Sequence, residues 1–160
     1  MEPEVHIVSA YLQLVKGCFV MTNVLLKGGK EIDILAINPN TGERFHVECR
    51  VATTRAFRIR AIDSQTAKGR MHRRGLDTLD KEKFEHLVVK QKVREIFRAG
   101  RYKKILVIWE VEDESVIDIA KKDYAIEIWK MPVILKELAQ TLNTKPHRDD
   151  VLRTIQLISR

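Results

Sequence analysis

GKEIDILAINPNTGERFHVECRV, residues Gly29 to Val51, contains two short apolar-rich strands joined by a turn, and the reading of the whole chain turns on it. Ile32, Ile34 and Ala36 alternate with Asp33, Leu35 and Ile37, and Val47, Cys49 and Val51 alternate with Glu48 and Arg50, the two-residue period of a strand. Asn38-Pro39-Asn40-Thr41-Gly42 between them is turn chemistry. A loop over Asn38 to Glu43 pairs Ile37 with Arg44, and counting back along both strands sets Asp33 opposite Glu48. Their Cβ atoms are then roughly 5 Å apart on one face, and like charges so placed repel unless a cation lies between them. Arg50 lies on the same face, about 6.6 Å further along its strand.

Working outward, the N-terminal side predicts a helix from Pro3 to Lys16, with Ile7, Val8, Tyr11, Leu12 and Val15 as its apolar stripe. Glu4 falls on that stripe, so its carboxylate either turns toward the packed side or serves the helix dipole in the first turn. Gly17 ends this helix, and Cys18 to Lys27 reads as a first strand leading through Gly28-Gly29 into the hairpin.

Beyond Val51 the composition changes. Arg55, Arg58, Arg60, Lys68, Arg70, Arg73 and Arg74 stand against Asp63 alone, so this segment holds +6 of the chain's net +7. Phe57, Ile59 and Ile62 are interleaved with the charges, which fits a short packed helix with a loose tail over Lys68 to Gly75. A concentrated basic stretch points to a surface that tracks phosphates, with a solvated loop as the alternative. Asp80 to Ala99 reads as a helix capped by Asp80, with Phe84, Leu87, Val88, Val93, Ile96 and Phe97 as its buried side. Gln91 borders that stripe, either as an amide that orients a phosphate or water or as an ordinary boundary residue. Lys103 to Val111 is a central strand, Glu114 to Lys121 a short helix, and Tyr124 to Met131 a further strand. Helices from Pro132 to Leu142 and from Asp149 to Ile158 complete an αβββαβαβαα order.

At 160 residues, 44% hydrophobic and 32% charged, the chain is read as one domain, with a core over residues 3–131 and C-terminal helices over 132–160. No apolar run approaches the ~20 residues of a membrane helix, so no membrane partner is expected. The N-terminal MEPEVHIVSA lacks the basic-then-apolar order of a secretory signal, so a cytoplasmic location is expected. Cys18 and Cys49 sit within apolar patterns and read as free buried thiols. The five histidines show no ligand spacing with cysteine, which argues against zinc; His46 alone shares the face of Glu48. A pI near 9.5 favours acidic partners, nucleic acid first among them.

Two carboxylates on adjacent strands make a hard-oxygen site suited to Mg²⁺ or Mn²⁺, and such a metal beside a phosphodiester can activate water. The alternative is an ordinary hairpin face with Glu48 paired to Arg50 or Arg44, contributing roughly 0 to 1 kcal/mol. The run Glu31-Ile32-Asp33-Ile34-Leu35-Ala36, followed by Val47-Glu48-Cys49-Arg50-Val51, resembles the PD-(D/E)XK nuclease superfamily. With Glu4 on the first helix, the element order is similar to that of the archaeal Holliday junction resolvase and RecB-like branches. The resemblance covers Glu4 to about Trp109. It implies a restriction-endonuclease-like α/β fold, a central mixed β-sheet flanked by helices, and metal-dependent hydrolysis of DNA, with branched or repair-intermediate DNA as a candidate substrate. It further implies that Asp33, Glu48 and the Cys49 backbone carbonyl hold Mg²⁺ or Mn²⁺ and that Glu4 assists.

One position departs from the pattern: the family's third motif residue is usually lysine, and here it is Arg50. Arginine is permanently cationic, so Arg50 suits phosphate contact rather than proton abstraction. Lys27, Lys30 or Lys90 are the candidates to bring an ammonium from elsewhere, and a degenerate protein that binds nucleic acid without cutting it is the alternative function. Resolution of a junction would require a homodimer, for which the C-terminal strand and helices offer apolar surface.

Overall fold

The computed structural model describes residues 2–51, 64–65, 71–73, 75–98, 101–111, 113–143 and 148–159. Its centre is a five-stranded mixed sheet in the spatial order β1 (Phe19–Leu25), β2 (Glu31–Ile37), β3 (Arg44–Arg50), β6 (Lys103–Ile108), β7 (Ile126–Lys130), flanked by helices on both faces. Helix α1 (Pro3–Leu14) precedes β1 (Phe19–Leu25), β2 (Glu31–Ile37) and β3 (Arg44–Arg50), which pair antiparallel. The β2–β3 turn closes as its composition dictates. The Asn38 side chain accepts from the Asn40 and Thr41 amides, Gly42 takes a φ of 72°, and the Asn38 amide donates to the Glu43 carbonyl at 2.9 Å. Ile37 consequently pairs with Arg44, and the register continues through Ile34 with Val47.

Beyond β3 come β4 (Ser64–Gln65) and β5 (Met71–Arg73), an antiparallel pair, where a helix with a loose tail was expected. Arg73 lies on β5; Arg55, Arg58, Arg60, Lys68, Arg70 and Arg74 lie outside the described residues.

The helix expected over Asp80 to Ala99 is two helices with a break. Helix α2 (Leu76–Leu79) runs into a π-helical turn (Asp80–Phe84) closed by the Glu85 amide donating five residues back to the Asp80 carbonyl at 2.7 Å. His86 is extended, and α3 (Leu87–Phe97) then begins. The reason is phase. Leu76, Leu79 and Phe84 bury one stripe against the sheet, whereas the buried residues of α3 are Val89 and Val93, with Ile96 and Phe97 partly buried beside them. Val89 comes five residues after Phe84 and points away from it in any continuous α-helix, so the chain has to break between them. Leu87, expected in the core, is 68% exposed. Asp80 caps nothing; it is buried and paired with Lys104 at 3.0 Å.

Strand β6 (Lys103–Ile108) lies between β3 and β7 (Ile126–Lys130), parallel to both, and α4 (Ser115–Tyr124) links β6 to β7. Ile105 to Ile108 are buried on both faces, the continuous apolar run of an interior parallel strand. One face carries Ile34, Val47, Cys49, Ile105 and Val107 against α1, α5 (Met131–Leu142) and α6 (Asp150–Ile158). The other carries Leu106, Ile108 and Ile126 against α2 and α4, with Ile32 and Leu35 against α3. The C-terminal helices therefore complete the same core. Asp149 caps α6 by accepting from the Leu152 amide, Gln156 donates to the Leu142 carbonyl at 2.7 Å, and the Tyr11 hydroxyl donates to Glu137 on α5. Both cysteines are free and buried. No helix among the described residues is long and apolar enough to cross a membrane.

Candidate active site

Alternation along β3 sends Phe45, Val47 and Cys49 into the α1 side of the sheet and leaves His46, Glu48 and Arg50 on the other. β2 brings Asp33 to the same place. Asp33 is 8% and Glu48 0% exposed, so neither is a solvent-face residue of a plain hairpin. The Cys49 amide donates to Asp33 Oδ2 at 2.8 Å, fixing that carboxylate across the strand pair. Arg50 folds back over the two acids: Nη1 stands 3.6 Å from Asp33 Oδ2 and Nη2 3.7 Å from Glu48 Oε2. Nη1 also donates to the Cys49 carbonyl at 2.7 Å.

A second cation arrives from the π-helical turn. Lys83 Nζ is 2.9 Å from Glu48 Oε2 and 3.9 Å from Asp33 Oδ1, and donates to the Glu31 carbonyl at 3.3 Å. Its ammonium lies at hydrogen-bonding distance from Glu48, so the buried Oε2 faces two cations, Lys83 and Arg50. The other oxygen, Oε1, lies 3.1 Å from His46 Nε2. His46 is itself buried, its ring packed edge-on to Phe84 at 4.8 Å, and Nδ1 has no hydrogen-bond partner. Nε2 is the ring nitrogen that faces Glu48, and a carboxylate oxygen only accepts, so this contact is donated by the imidazole and sets the orientation of that carboxylate.

The two acids are driven in opposite directions. Burial, reinforced by the charge of Glu48, pushes Asp33 up to about 6, against the Cys49 amide, Lys83 and Arg50. Burial also presses Glu48 upward, but the hydrogen bond and charge of His46 together with Lys83 outweigh it, holding Glu48 below the ordinary carboxylate range. Burial and the neighbouring charges of Asp33 and Glu48 raise the Cys49 thiol, which faces the core and offers no thiolate.

Asp33, with Arg50 and Lys83, opens into a cavity of about 470 Å³ whose wall also includes Glu2, Asn23, Lys30, Glu31 and Glu82, while Glu48 lies buried behind them. Asn23 sits on β1 between Thr22, which pairs with Ile34, and Val24, which pairs with Ile32, and so lies across from Asp33. Its φ of 53° is left-handed, a conformation that asparagine tolerates better than most residues. The amide nitrogen donates to Glu31 at 2.5 Å, and Oδ1 is buried without a partner.

Asp33, Glu48 and Arg50 thus meet, the Cys49 carbonyl faces the Arg50 guanidinium, and Lys30 lines the cavity. Glu4 is half-buried in the first turn of α1, near enough for its charge to act on Cys49, while Glu2 rather than Glu4 lines the cavity. Among the described residues no group of three or more His, Cys, Asp or Glu is placed to hold a metal, so Glu4 does not join Asp33 and Glu48 as a third ligand. Lys90 is paired with Glu85, Lys27 is exposed in a turn, and Gln91 is exposed on α3, so none of these three lines the cavity. Lys83 and Asn23 escape a reading by spacing alone. The signal for Lys83 was the pair of apolar stripes out of phase around Phe84, which marks a break where a side chain can be re-aimed.

No family model matches the chain, and no curated protein matches it. Among solved structures it is similar to the crystal structure of a protein of unknown function, AF1548, at 17% identity with a TM-score of 0.54. The match covers 98% of this chain and 77% of that one, a likeness of fold.

Proposed function

We propose that the protein is a metal-dependent deoxyribonuclease of the restriction-endonuclease-like fold, acting on phosphodiester bonds at the Asp33–Glu48 pair. The observation that carries this reading is a pair of buried carboxylates, Asp33 and Glu48, side by side on adjacent strands at the edge of a cavity and facing two cations. Burying two like charges side by side is costly, and a sequence sustains the cost more readily where the pair has a cationic ligand to receive.

The donors present fit a hard divalent ion: carboxylate oxygens of Asp33 and Glu48 and the Cys49 carbonyl would hold Mg²⁺ or Mn²⁺. Bound there, the ion would acidify a water molecule and offset charge on the phosphate. His46 holds the Glu48 carboxylate in one orientation. Arg50 presents a planar fork to a non-bridging phosphate oxygen. Lys83 supplies the ammonium that Arg50 cannot replace, a compact point charge with exchangeable protons close to the site of attack. Asn23 adds an amide edge on the cavity wall. The arginines and lysine between Arg55 and Arg74 would track the DNA backbone, giving binding that weakens steeply with salt.

A second reading has its own support. Arg50 already contacts all three donors named for the metal, which suits a protein that binds nucleic acid and does not cut it. Supercoiled, branched and single-stranded DNA incubated with Mg²⁺ or Mn²⁺ separates the two, comparing wild type with Asp33→Asn. Nuclease action requires cleavage that Asp33→Asn abolishes; binding that persists in chelator, with no such cleavage on any substrate, leaves only the second reading.

A further inference from the structure

The Arg50 guanidinium spans Asp33 Oδ2 at 3.6 Å, Glu48 Oε2 at 3.7 Å and the Cys49 carbonyl at 2.7 Å. These are the three groups that would ligate a divalent ion. Lys83 adds a second positive charge 2.9 Å from Glu48 Oε2, so the four innermost charges, two acids and two bases, already cancel. A divalent ion entering this shell would meet occupied donors and two cations at close range, where repulsion is weakly screened. Glu2, Glu31 and Glu82 make the cavity wall more acidic, but across a solvent-filled opening their pull is screened and falls short of displacing a guanidinium in contact.

Resting on the nuclease reading above, we propose that Arg50 is a built-in competitor for the metal: the free protein takes up divalent ions poorly, and a phosphate-bearing ligand opens the site by drawing the guanidinium onto itself. Arg50 has the freedom to move. It is the last residue of β3, its side chain is 28% exposed, and it lines the open cavity, whereas Lys83 is tied to the Glu31 carbonyl. A phosphodiester oxygen offers the guanidinium the charge-assisted contact it surrenders at Asp33 and Glu48. Metal and nucleic acid then bind with positive coupling, each raising the affinity for the other by the same factor. The consequence for function is that the free protein is not a standing metal-loaded hydrolase; the site loads when a backbone is present.

Mn²⁺ binding by calorimetry, on wild type, Arg50→Gln and Arg50→Lys, tests this without measuring cleavage; heat also seen with Asp33→Asn is subtracted as nonspecific. In the absence of nucleic acid, Arg50→Gln is expected to bind Mn²⁺ at least about tenfold more tightly than wild type, tenfold being a small part of the repulsion relieved. Arg50→Lys, which keeps the charge and loses the planar fork, is expected to fall between them. Adding a short DNA duplex should bring wild type toward the affinity of Arg50→Gln. Equal Mn²⁺ affinity in wild type and Arg50→Gln overturns the competition, as does failure of Arg50→Gln to bind. Should Arg50→Gln not fold, wild type alone decides, because absence of any gain in Mn²⁺ affinity on adding duplex also overturns it. The nuclease reading stands or falls separately, on cleavage by wild type with Mg²⁺: equal affinities alongside active cleavage remove the competition alone.

Discussion

Replacing Asp33 with asparagine should stabilise the metal-free protein while removing its proposed chemistry. The folded protein holds the Asp33 carboxyl at about 6 against an ordinary 3.8, a rise of about two units, and each unit is about 1.36 kcal/mol. At pH 7.5, where the carboxylate is ionised in both states, the folded state therefore carries a penalty of up to ~3 kcal/mol for keeping that charge. Asp33 is 8% exposed, so solvent screening does not erase the effect. Asparagine is nearly isosteric, its carbonyl can still accept from the Cys49 amide, and it ends the repulsion with Glu48. Because a neutral amide is a weaker partner for Arg50 and Lys83, the expected net gain is about 1–3 kcal/mol. The sign sets the pH window. A carboxyl whose folded value is raised contributes stability that is complete below the ordinary value and is lost as pH rises through the raised one. The advantage of Asp33→Asn over wild type should thus be small near pH 4, grow between pH 4 and 6, and level off above pH 7. Urea unfolding in chelator across pH 4 to 8, followed by tryptophan fluorescence, measures it. A variant less stable than wild type at pH 7.5, or an advantage that does not change with pH, refutes the reasoning.

Lys83→Met should lower cleavage by about 10²-fold or more, the scale of a positioned proton-transfer group, while leaving DNA affinity in chelator within about threefold. Cleavage assays beside fluorescence anisotropy check both, and unchanged cleavage removes Lys83 from the site. His46→Ala should destabilise by about 2–4 kcal/mol, since it opens a cavity beside Phe84 and deprives Glu48 Oε1 of its donor; a cost under ~1 kcal/mol in chemical denaturation contradicts this. Asn23→Gly should be tolerated in stability, whereas Asn23→Val, forced to a φ of 53°, should cost about 1–3 kcal/mol, and thermal melts of the two variants decide. Lys104→Met should cost more than Lys103→Met, because Lys104 pairs with buried Asp80 whereas the Lys103–Glu43 pair is largely solvent-exposed; equal melting temperatures would argue against it.

Local chemistry in the chain determined the hairpin by itself. The Asn38 to Glu43 turn closes on its own side-chain and backbone bonds, and with the turn length set, a period of two leaves one register; that alone brings Asp33 beside Glu48 and places Arg50 on their face. The continuous apolar run from Ile105 to Ile108, rich in β-branched residues, likewise reads as a central strand buried on both faces. Asp80 to Ala99 had no such local arbiter. Its apolar residues satisfy a helical period in more than one phase, and the choice between Leu87 and Val89 as core residue was made by the surfaces they meet, Ile32 and Leu35 on one side and Leu106 and Ile108 on the other. From that choice follow the π-helical turn, the burial of Asp80 against Lys104, and the aim of Lys83 at Glu48. The distance between Lys83 and Glu48, 35 positions apart in sequence, depends on how a helical crossover lies on the sheet, which no spacing encodes. The same holds for Glu4, whose place in the sequence suits a ligand and whose place in the fold is beside Cys49. The acidic pair and Arg50 on its face are therefore properties of the sequence, while the second cation, Lys83, was assigned by tertiary packing.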